Sequence, residues 1–197
     1  MDVPADLLAR TQGLLASDRV TVPTRKVLQA RLERRFGAPQ LLNGAQMQTL
    51  RAASARLIPA PDLADAIDLA GAFDAALAEG DGDGWRYAAV QPDREIHPLG
   101  LDALEAASQR QFKASFDSLD PAHQDALLQA TADGQLDSGV EDLDAARWFE
   151  ELLASLVELH FSHPLVQVQI GYDGMADARG FQAVGLADVA EEARRGG

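Results

Sequence analysis

Two histidines near the end of the chain come closest, in type and spacing, to a metal site. His160 and His163 are three residues apart, and Glu158 lies close by. Imidazole and carboxylate groups are common ligands of zinc and other transition metals. Phe149, Leu156 and His160 recur at helical spacing, so His160 belongs to the apolar stripe of a helix. Since Glu158 lies on another face, the pattern favours a core histidine, or histidines at a helix end, over a metal site.

A second metal hypothesis is a carboxylate-rich di-iron centre in a helical bundle, which requires a glutamate three residues before each histidine. Val157 precedes His160 at that distance, and His160 itself precedes His163. A metal-dependent enzyme is therefore the least favoured functional hypothesis, and we expect this chain to bind no metal ion.

Two acidic loops invite comparison with calcium-binding loops. In the loop that begins at Asp81–Gly84, Arg86 stands where the EF-hand requires glycine and Pro92 occupies the last ligand position. In the loop Asp133–Asp144, Ser138 stands at the glycine position. Both loops are therefore interpreted as solvated acidic segments and not as calcium sites.

The rest of the sequence offers no catalytic unit. The chain contains no cysteine, which excludes thiolate ligands, disulfides and a cysteine nucleophile. The glycine-rich motifs of nucleotide-binding enzymes and the serine motif of hydrolases are also absent, while His97 and His123 stand alone. We therefore predict a chain without catalytic residues and without a bound cofactor.

Length and composition are typical of a globular domain. The chain has 197 residues, of which 47% are apolar and 24% charged. Its net charge of −14 disfavours nucleic acid as a partner, and no segment approaches the roughly 20 apolar residues that span a bilayer. The first residues lack a secretion signal or twin-arginine leader. We expect a cytoplasmic location by default, or a periplasmic one if the chain is exported with a partner.

Charge is distributed unevenly along the chain. Residues 1–56 carry 9 basic and 4 acidic side chains, whereas the remaining residues carry 8 basic and 27 acidic ones. Five of the basic residues lie close together in sequence: Arg25, Lys26, Arg31, Arg34 and Arg35. Such a stretch is typically a solvated helix face, and otherwise contacts the acidic part of the same chain or an acidic partner.

Nearly all periodic segments repeat every 3.6 residues, which predicts an all-α fold of six or seven helices. We expect a single helical-bundle-like domain over residues 42–185, with an N-terminal helical hairpin over 1–41 and a flexible tail over 186–197. The glycine-punctuated residues 171–185 are expected to form an irregular C-terminal tail.

Local signals predict where individual helices begin and end. Asn43, and Asp120 with the proline that follows it, are expected to start two helices. Another helix is expected over Pro98–Ala114, and the most apolar helix should end at Pro164. The short alternation in Val166–Ile170 is the only strand-like signal and predicts at most a trace of strand.

Three segments carry a resemblance to a known family. They read NGAQMQTLRAASARLIPAP over Asn43–Pro61, LGLDALEAASQRQFKASFDSLDPAHQDALL over Leu99–Leu128, and RWFEELLASLVELHFSHPLVQVQIGY over Arg147–Tyr172. In this order they resemble the opening helix, the central stretch, and the closing helix with its turn in the gluconate 2-dehydrogenase subunit 3 family. The resemblance covers about residues 42–185 and leaves the N-terminal hairpin as an addition.

Two features depart from that family's pattern. We expect no twin-arginine leader, which many members carry, and Leu165–Tyr172 replaces the common Tyr-Gly-Gly-Asn sequence after the closing helix. These departures indicate a divergent branch of the family.

The resemblance implies a function as well as a fold. Members of the family are small or gamma subunits of sugar and sugar-acid dehydrogenases. They accompany a large subunit of the glucose–methanol–choline oxidoreductase type, which holds FAD, and often a cytochrome subunit. The resemblance therefore implies a non-catalytic accessory subunit that binds and stabilises the FAD-dependent large subunit.

Aromatic residues near loops and helix ends are the candidate anchors of such a protein interface, because aromatic side chains dominate interface energetics. With one neighbouring histidine, the candidates are Trp85, Tyr87, Phe161, His163, Tyr172 and Phe181. The alternative hypothesis is a stand-alone helical module that binds an unrelated protein. A reading frame for a flavin oxidoreductase beside the gene would distinguish the two.

Overall fold

The computed structural model describes residues 4–60, 62–63, 66–80, 92–140, 143–172 and 174–179. These residues form eight α-helices, two short 3₁₀ helices and no strand, which confirms the predicted all-α fold. The α-helices are α1 (Ala5–Ala16), α2 (Val22–Glu33), α3 (Gly44–Leu57), α4 (Leu69–Glu79), α5 (Asp93–Phe112), α6 (Pro121–Ala132), α7 (Ala145–Phe161) and α8 (Pro164–Gln169). The 3₁₀ helices are Phe116–Ser118 and Asp177–Arg179.

The two predicted helix starts are confirmed. The Asn43 side chain accepts a hydrogen bond from the Gln46 backbone N–H at 3.0 Å, and the Gln46 side chain accepts one from the Asn43 N–H at 2.9 Å. This reciprocal capping box satisfies two N–H groups at the start of α3. At α6, Asp120 accepts from the His123 N–H at 3.0 Å, and Pro121 is the first helical residue.

Helix α5 begins five residues earlier than predicted, at Asp93, so Pro98 lies inside the helix and not at its start. A proline in this position removes one helical hydrogen bond and is normally unfavourable. Burial of the preceding turn offsets that cost, because Ile96 and His97 are both buried. The His97 ring contacts Phe73 edge-on, with ring centroids 4.9 Å apart.

Residues 35–162, with helices α3 to α7, form one compact unit, which we call the first unit. Its core is a single apolar cluster whose fully buried members include Leu50, Leu104, Phe116, Trp148 and Leu156. Trp148 is the largest of them, and its indole lies directly against Gly100 of α5.

A buried carboxylate organises the segment that leads into α3. Asp74 of α4 is 2% exposed. Its oxygens accept hydrogen bonds from three successive backbone N–H groups, those of Gln40 at 2.6 Å, Leu41 at 3.1 Å and Leu42 at 2.7 Å. Charge-assisted bonds of this kind compensate the burial of an ionised group, so Asp74 fixes the chain just before α3.

Helices α1, α2 and α8 form a second compact unit, made from residues 4–34 and from described residues after 162. Each helix contributes buried apolar side chains to it: Leu7 and Leu15 from α1, Leu28 from α2, and Leu165 and Val168 from α8. The N-terminal hairpin thus shares a core with a helix that follows it by well over a hundred residues.

The strand-like signal at Val166–Ile170, which predicted at most a trace of strand, corresponds to a helix, because this segment lies largely in α8. Pro164 begins α8, and the preceding helix α7 has already ended at Phe161. The His163 side chain caps α8 by accepting from the Leu165 N–H at 3.3 Å. An alternating pattern of only three apolar residues does not distinguish a strand from a short helix that buries most of one face.

Asp177 closes the second unit near the turn between α1 and α2. It accepts hydrogen bonds from the Thr21 N–H at 2.8 Å, the Thr21 hydroxyl at 2.7 Å and the Thr24 hydroxyl at 2.6 Å. These hydrogen bonds, the Thr21 N–H bond first among them, lower the pKa of Asp177 from 3.8 to about 2.

Candidate ligand cavity and partner surface

The first unit contains an open cavity of about 590 Å³. It is bounded by the second half of α3, the described residues between α3 and α4, the start of α4, and His160 of α7. Most of its lining is aliphatic, with Ala55, Ala60 and Ala70 beside larger side chains: Ile58, Pro59, Leu63, Ile67 and Leu69. The volume lies within the range of small-molecule sites in proteins.

Few polar groups line this cavity. Arg51 and Asp68 form an ion pair across 3.7 Å, with side chains 60% and 39% exposed. Ser54 is buried and donates its hydroxyl hydrogen to the Leu50 carbonyl at 2.7 Å. The charges of the lining described here therefore neutralise each other, and the serine oxygen retains lone pairs that can accept a hydrogen bond.

His160 is the buried polar residue of the cavity lining in α7. It is 8% exposed. Its ring packs edge-on against the ring of Phe161, with the two ring centroids 5.0 Å apart. Within the described part of the chain its imidazole makes no hydrogen bond. Burial lowers the pKa of His160 below 6.5, so the neutral imidazole is favoured.

The prediction that His160 is buried is confirmed. The prediction that a hydrogen bond satisfies its imidazole is not, because the described residues provide no such bond. The imidazole faces a cavity instead. His163 follows directly after Ser162, the C-cap of α7, and its side chain caps the start of α8.

Helix α7 also carries an exposed apolar face in the first unit. Phe161 is 46% exposed and Val157, one turn earlier, is 37% exposed. Ala154, a further turn back, is exposed too. We call these three residues the α7 surface. Residues three and four apart share one side of a helix, so they form a continuous apolar strip.

The other described interface candidates, His163 and Tyr172, belong to the second unit. His163 is half-buried and serves as a helix cap. Tyr172 is 50% exposed, and neighbouring Ile170 is 57% exposed. The backbone N–H of Tyr172 donates to the Gln167 carbonyl at 2.8 Å, which fixes this residue at the end of α8. Trp85, Tyr87 and Phe181 lie outside the described residues.

The acidic loops are described only in part. The loop that begins at Asp81 lies outside the described residues. In the second loop, Asp137 pairs with Arg110 at 3.2 Å and Asp144 caps α7 by accepting from the Arg147 N–H at 3.0 Å. These two carboxylates therefore have structural partners.

The basic stretch is not uniformly a solvated face. Arg25 donates to the carbonyls of Ser17 at 2.6 Å and Val20 at 3.0 Å, and so holds the turn between α1 and α2. Lys26 of the same helix is exposed. Arg25 thus has a structural role that charge clustering alone did not indicate.

Two further features, a metal-binding cluster and a membrane-spanning helix, are absent from the described residues. In them, no group of three or more His, Asp or Glu residues is arranged to hold a metal ion. None of the described helices combines the length and the apolar character needed to cross a bilayer.

Comparison with known proteins addresses the family directly. The sequence model of the family described as gluconate 2-dehydrogenase subunit 3 matches residues 44–176. The chain belongs to this family. No curated protein and no solved structure matches it significantly.

The match to the gluconate 2-dehydrogenase subunit 3 family begins with α3 and includes α8. It therefore contains all of the described cavity-lining residues and the α7 surface. Helices α1 and α2 precede the matched segment.

Proposed function

We propose that this chain is a non-catalytic accessory subunit that binds and stabilises an FAD-dependent dehydrogenase of the glucose–methanol–choline type. The observation that carries the proposal is the family match over residues 44–176. In this proposal the flavin and the oxidation of a sugar or sugar acid belong to the large subunit, and this chain binds no cofactor.

The α7 surface is the proposed contact in the first unit. Val157 and Phe161 expose apolar area among the described residues. Aromatic residues at the centre of an interface typically contribute about 2 kcal/mol or more to binding. Phe161 is therefore assigned as the anchor of the contact, with Val157 beside it.

Stabilisation of the large subunit would follow from binding alone. A protein that binds the folded form of its partner and not the unfolded form lowers the unfolded fraction by mass action. No chemical group of this chain needs to reach the flavin for that effect.

The test is co-expression with a dehydrogenase of this type encoded in the same gene neighbourhood. We expect a complex that survives gel filtration, and a large subunit that is more soluble and retains more flavin than when expressed alone. If the large subunit is equally soluble and active alone and no complex forms, the stand-alone protein-binding module replaces this proposal.

A matched pair of valine variants tests the assigned surface. Val157→Asp places a charge on the α7 surface, whereas Val27→Asp makes the same change on α2, outside the matched segment, at a valine that is 52% exposed. We expect Val157→Asp to weaken the complex at least about tenfold and Val27→Asp to leave it unchanged. Equal effects would remove the α7 surface from the proposal.

A further inference from the structure

We propose that the cavity beside α3 and α4 is a binding site for a neutral aliphatic molecule that carries a hydroxyl or carbonyl group. All of the described lining residues belong to the first unit. The proposal does not depend on the accessory role, because it concerns residues that face the cavity and not the α7 surface.

The aliphatic part of the ligand follows from the lining. The side chains that bound the cavity are mostly aliphatic, with Ile58, Leu63 and Ile67 among the largest. No tryptophan, tyrosine or phenylalanine is among the described lining residues. A flexible alkyl body therefore suits this site better than a flat ring that requires an aromatic stacking partner.

The polar part of the ligand follows from His160. A histidine that lines an open cavity and has no hydrogen-bond partner in the protein keeps its ring nitrogens available to a ligand that enters there. His160 is 8% exposed, lines the cavity and has no hydrogen-bond partner in the described part of the chain. A ligand group that donates to or accepts from the imidazole would supply the missing interaction.

The neutral character of the ligand follows from the charges. Arg51 and Asp68 place opposite charges 3.7 Å apart in the lining, so the two together provide no net charge to attract a charged ligand. Ser54 has committed its hydrogen to the Leu50 carbonyl and can only accept. A hydroxyl group, which both donates and accepts, can therefore satisfy Ser54 or either nitrogen of a neutral imidazole.

The experiment is an NMR titration of the full chain with three probes of equal length: 1-hexanol, 2-hexanone and hexanoate. We expect saturable shifts of the backbone amides of lining residues with the alcohol and the ketone. Affinity should rise about threefold to fourfold for each methylene group from 1-hexanol to 1-octanol. Hexanoate should bind at least about tenfold more weakly, since its charge would remain uncompensated.

Two alanine variants show whether the probes enter the cavity. Ala55 lines the cavity yet is exposed, so Ala55→Trp fills the space without disturbing the core. Ala76 of α4 is also exposed but is not among the described lining residues, and Ala76→Trp is the matched control. We expect Ala55→Trp to abolish the shifts and Ala76→Trp to preserve them.

A third variant tests the imidazole. His160→Phe retains a ring and removes both hydrogen-bonding atoms, so 1-hexanol should bind about fivefold to tenfold more weakly. The proposal is overturned if neither the alcohol nor the ketone gives saturable shifts, if Ala55→Trp leaves them unchanged, or if hexanoate binds as tightly as 1-hexanol.

Discussion

Gly100 of α5 lies directly under the indole ring of Trp148 of α7, and the space between them leaves no room for even a methyl group. A Cβ atom added at residue 100 would overlap the atoms of that ring. Trp148 is fully buried in the core cluster, so the ring cannot move aside without displacing other core side chains. The two helices therefore approach each other at this position only because residue 100 is glycine.

We expect Gly100→Ala to destabilise the first unit by about 1–3 kcal/mol, the usual cost of overpacking a core. Urea unfolding followed by the fluorescence of Trp148, with the other tryptophan removed by the substitution Trp85→Phe, measures the change. Gly44→Ala is the control, because a Cβ atom at residue 44 has no neighbour within 4 Å. Equal stability of the two variants would contradict the tight contact at Gly100.

Asp74→Asn should destabilise the first unit by about 1–3 kcal/mol. The amide keeps a single acceptor oxygen and directs N–H donors toward the backbone N–H groups of residues 40–42, which now donate to both carboxylate oxygens. Asp117→Asn makes the same change at an exposed residue and should have little effect. The midpoints of chemical denaturation compare the two, and a neutral Asp74→Asn would disprove the role assigned to the carboxylate.

Acid should weaken the second unit through protonation of Asp177. The pKa of Asp177 is about 2 in the folded protein against an ordinary 3.8, so the unfolded chain binds more protons between these values. The stabilising contribution of Asp177 is therefore complete above its ordinary pKa of 3.8 and is lost as the pH falls from about 4 toward 2.

The Thr21 amide resonance reports this titration directly, because its N–H donates to Asp177. In Thr24→Val, which removes one hydroxyl donor, the midpoint should move up toward the ordinary value. A midpoint near 3.8 in the unaltered chain would refute the arrangement.

His160 should give the first unit a second pH dependence, at higher pH. Since burial lowers the pKa of His160, the unfolded chain binds a proton more readily than the folded one. The contribution of the neutral His160 side chain to stability is present above about pH 6.5. It declines as the pH falls below that value toward the pKa of His160 in the folded protein.

The corresponding measurement is the urea midpoint at pH 7.5 and at pH 5.5. The urea midpoint should fall less between pH 7.5 and pH 5.5 in His160→Phe than in the unaltered chain. His123→Gln is the control at a histidine whose side chain is 50% exposed and contacts Asp120, and it should retain the decline. If His160→Phe retains all of it, another group is responsible.

The features that the sequence predicted well are those decided by a few neighbouring residues. Asn43 and Asp120 begin helices because a side-chain oxygen accepts from a backbone N–H three residues on. The periodicity of α7 likewise predicted that Leu156 and His160 are buried. Such signals need no knowledge of the rest of the fold.

The features that were missed depend on residues distant in the chain. Val166 and Val168 become helical because α8 buries them in a core shared with α1 and α2, and a six-residue segment carries too weak a local preference to reveal this. The cavity joins residues 51–70 with His160, some ninety residues later. A polar side chain in an apolar stripe was the only sign of it.

The composition of the second unit has a consequence during synthesis. Helices α1 and α2 leave the ribosome long before α8 exists, since about 130 residues separate them from it. At roughly 5–20 residues per second that interval is on the order of 10 s. Throughout it, Leu7, Leu15 and Leu28 lack the helix that completes their core. The nascent chain therefore exposes an apolar hairpin while the first unit is being made, and this hairpin is where a chaperone would bind.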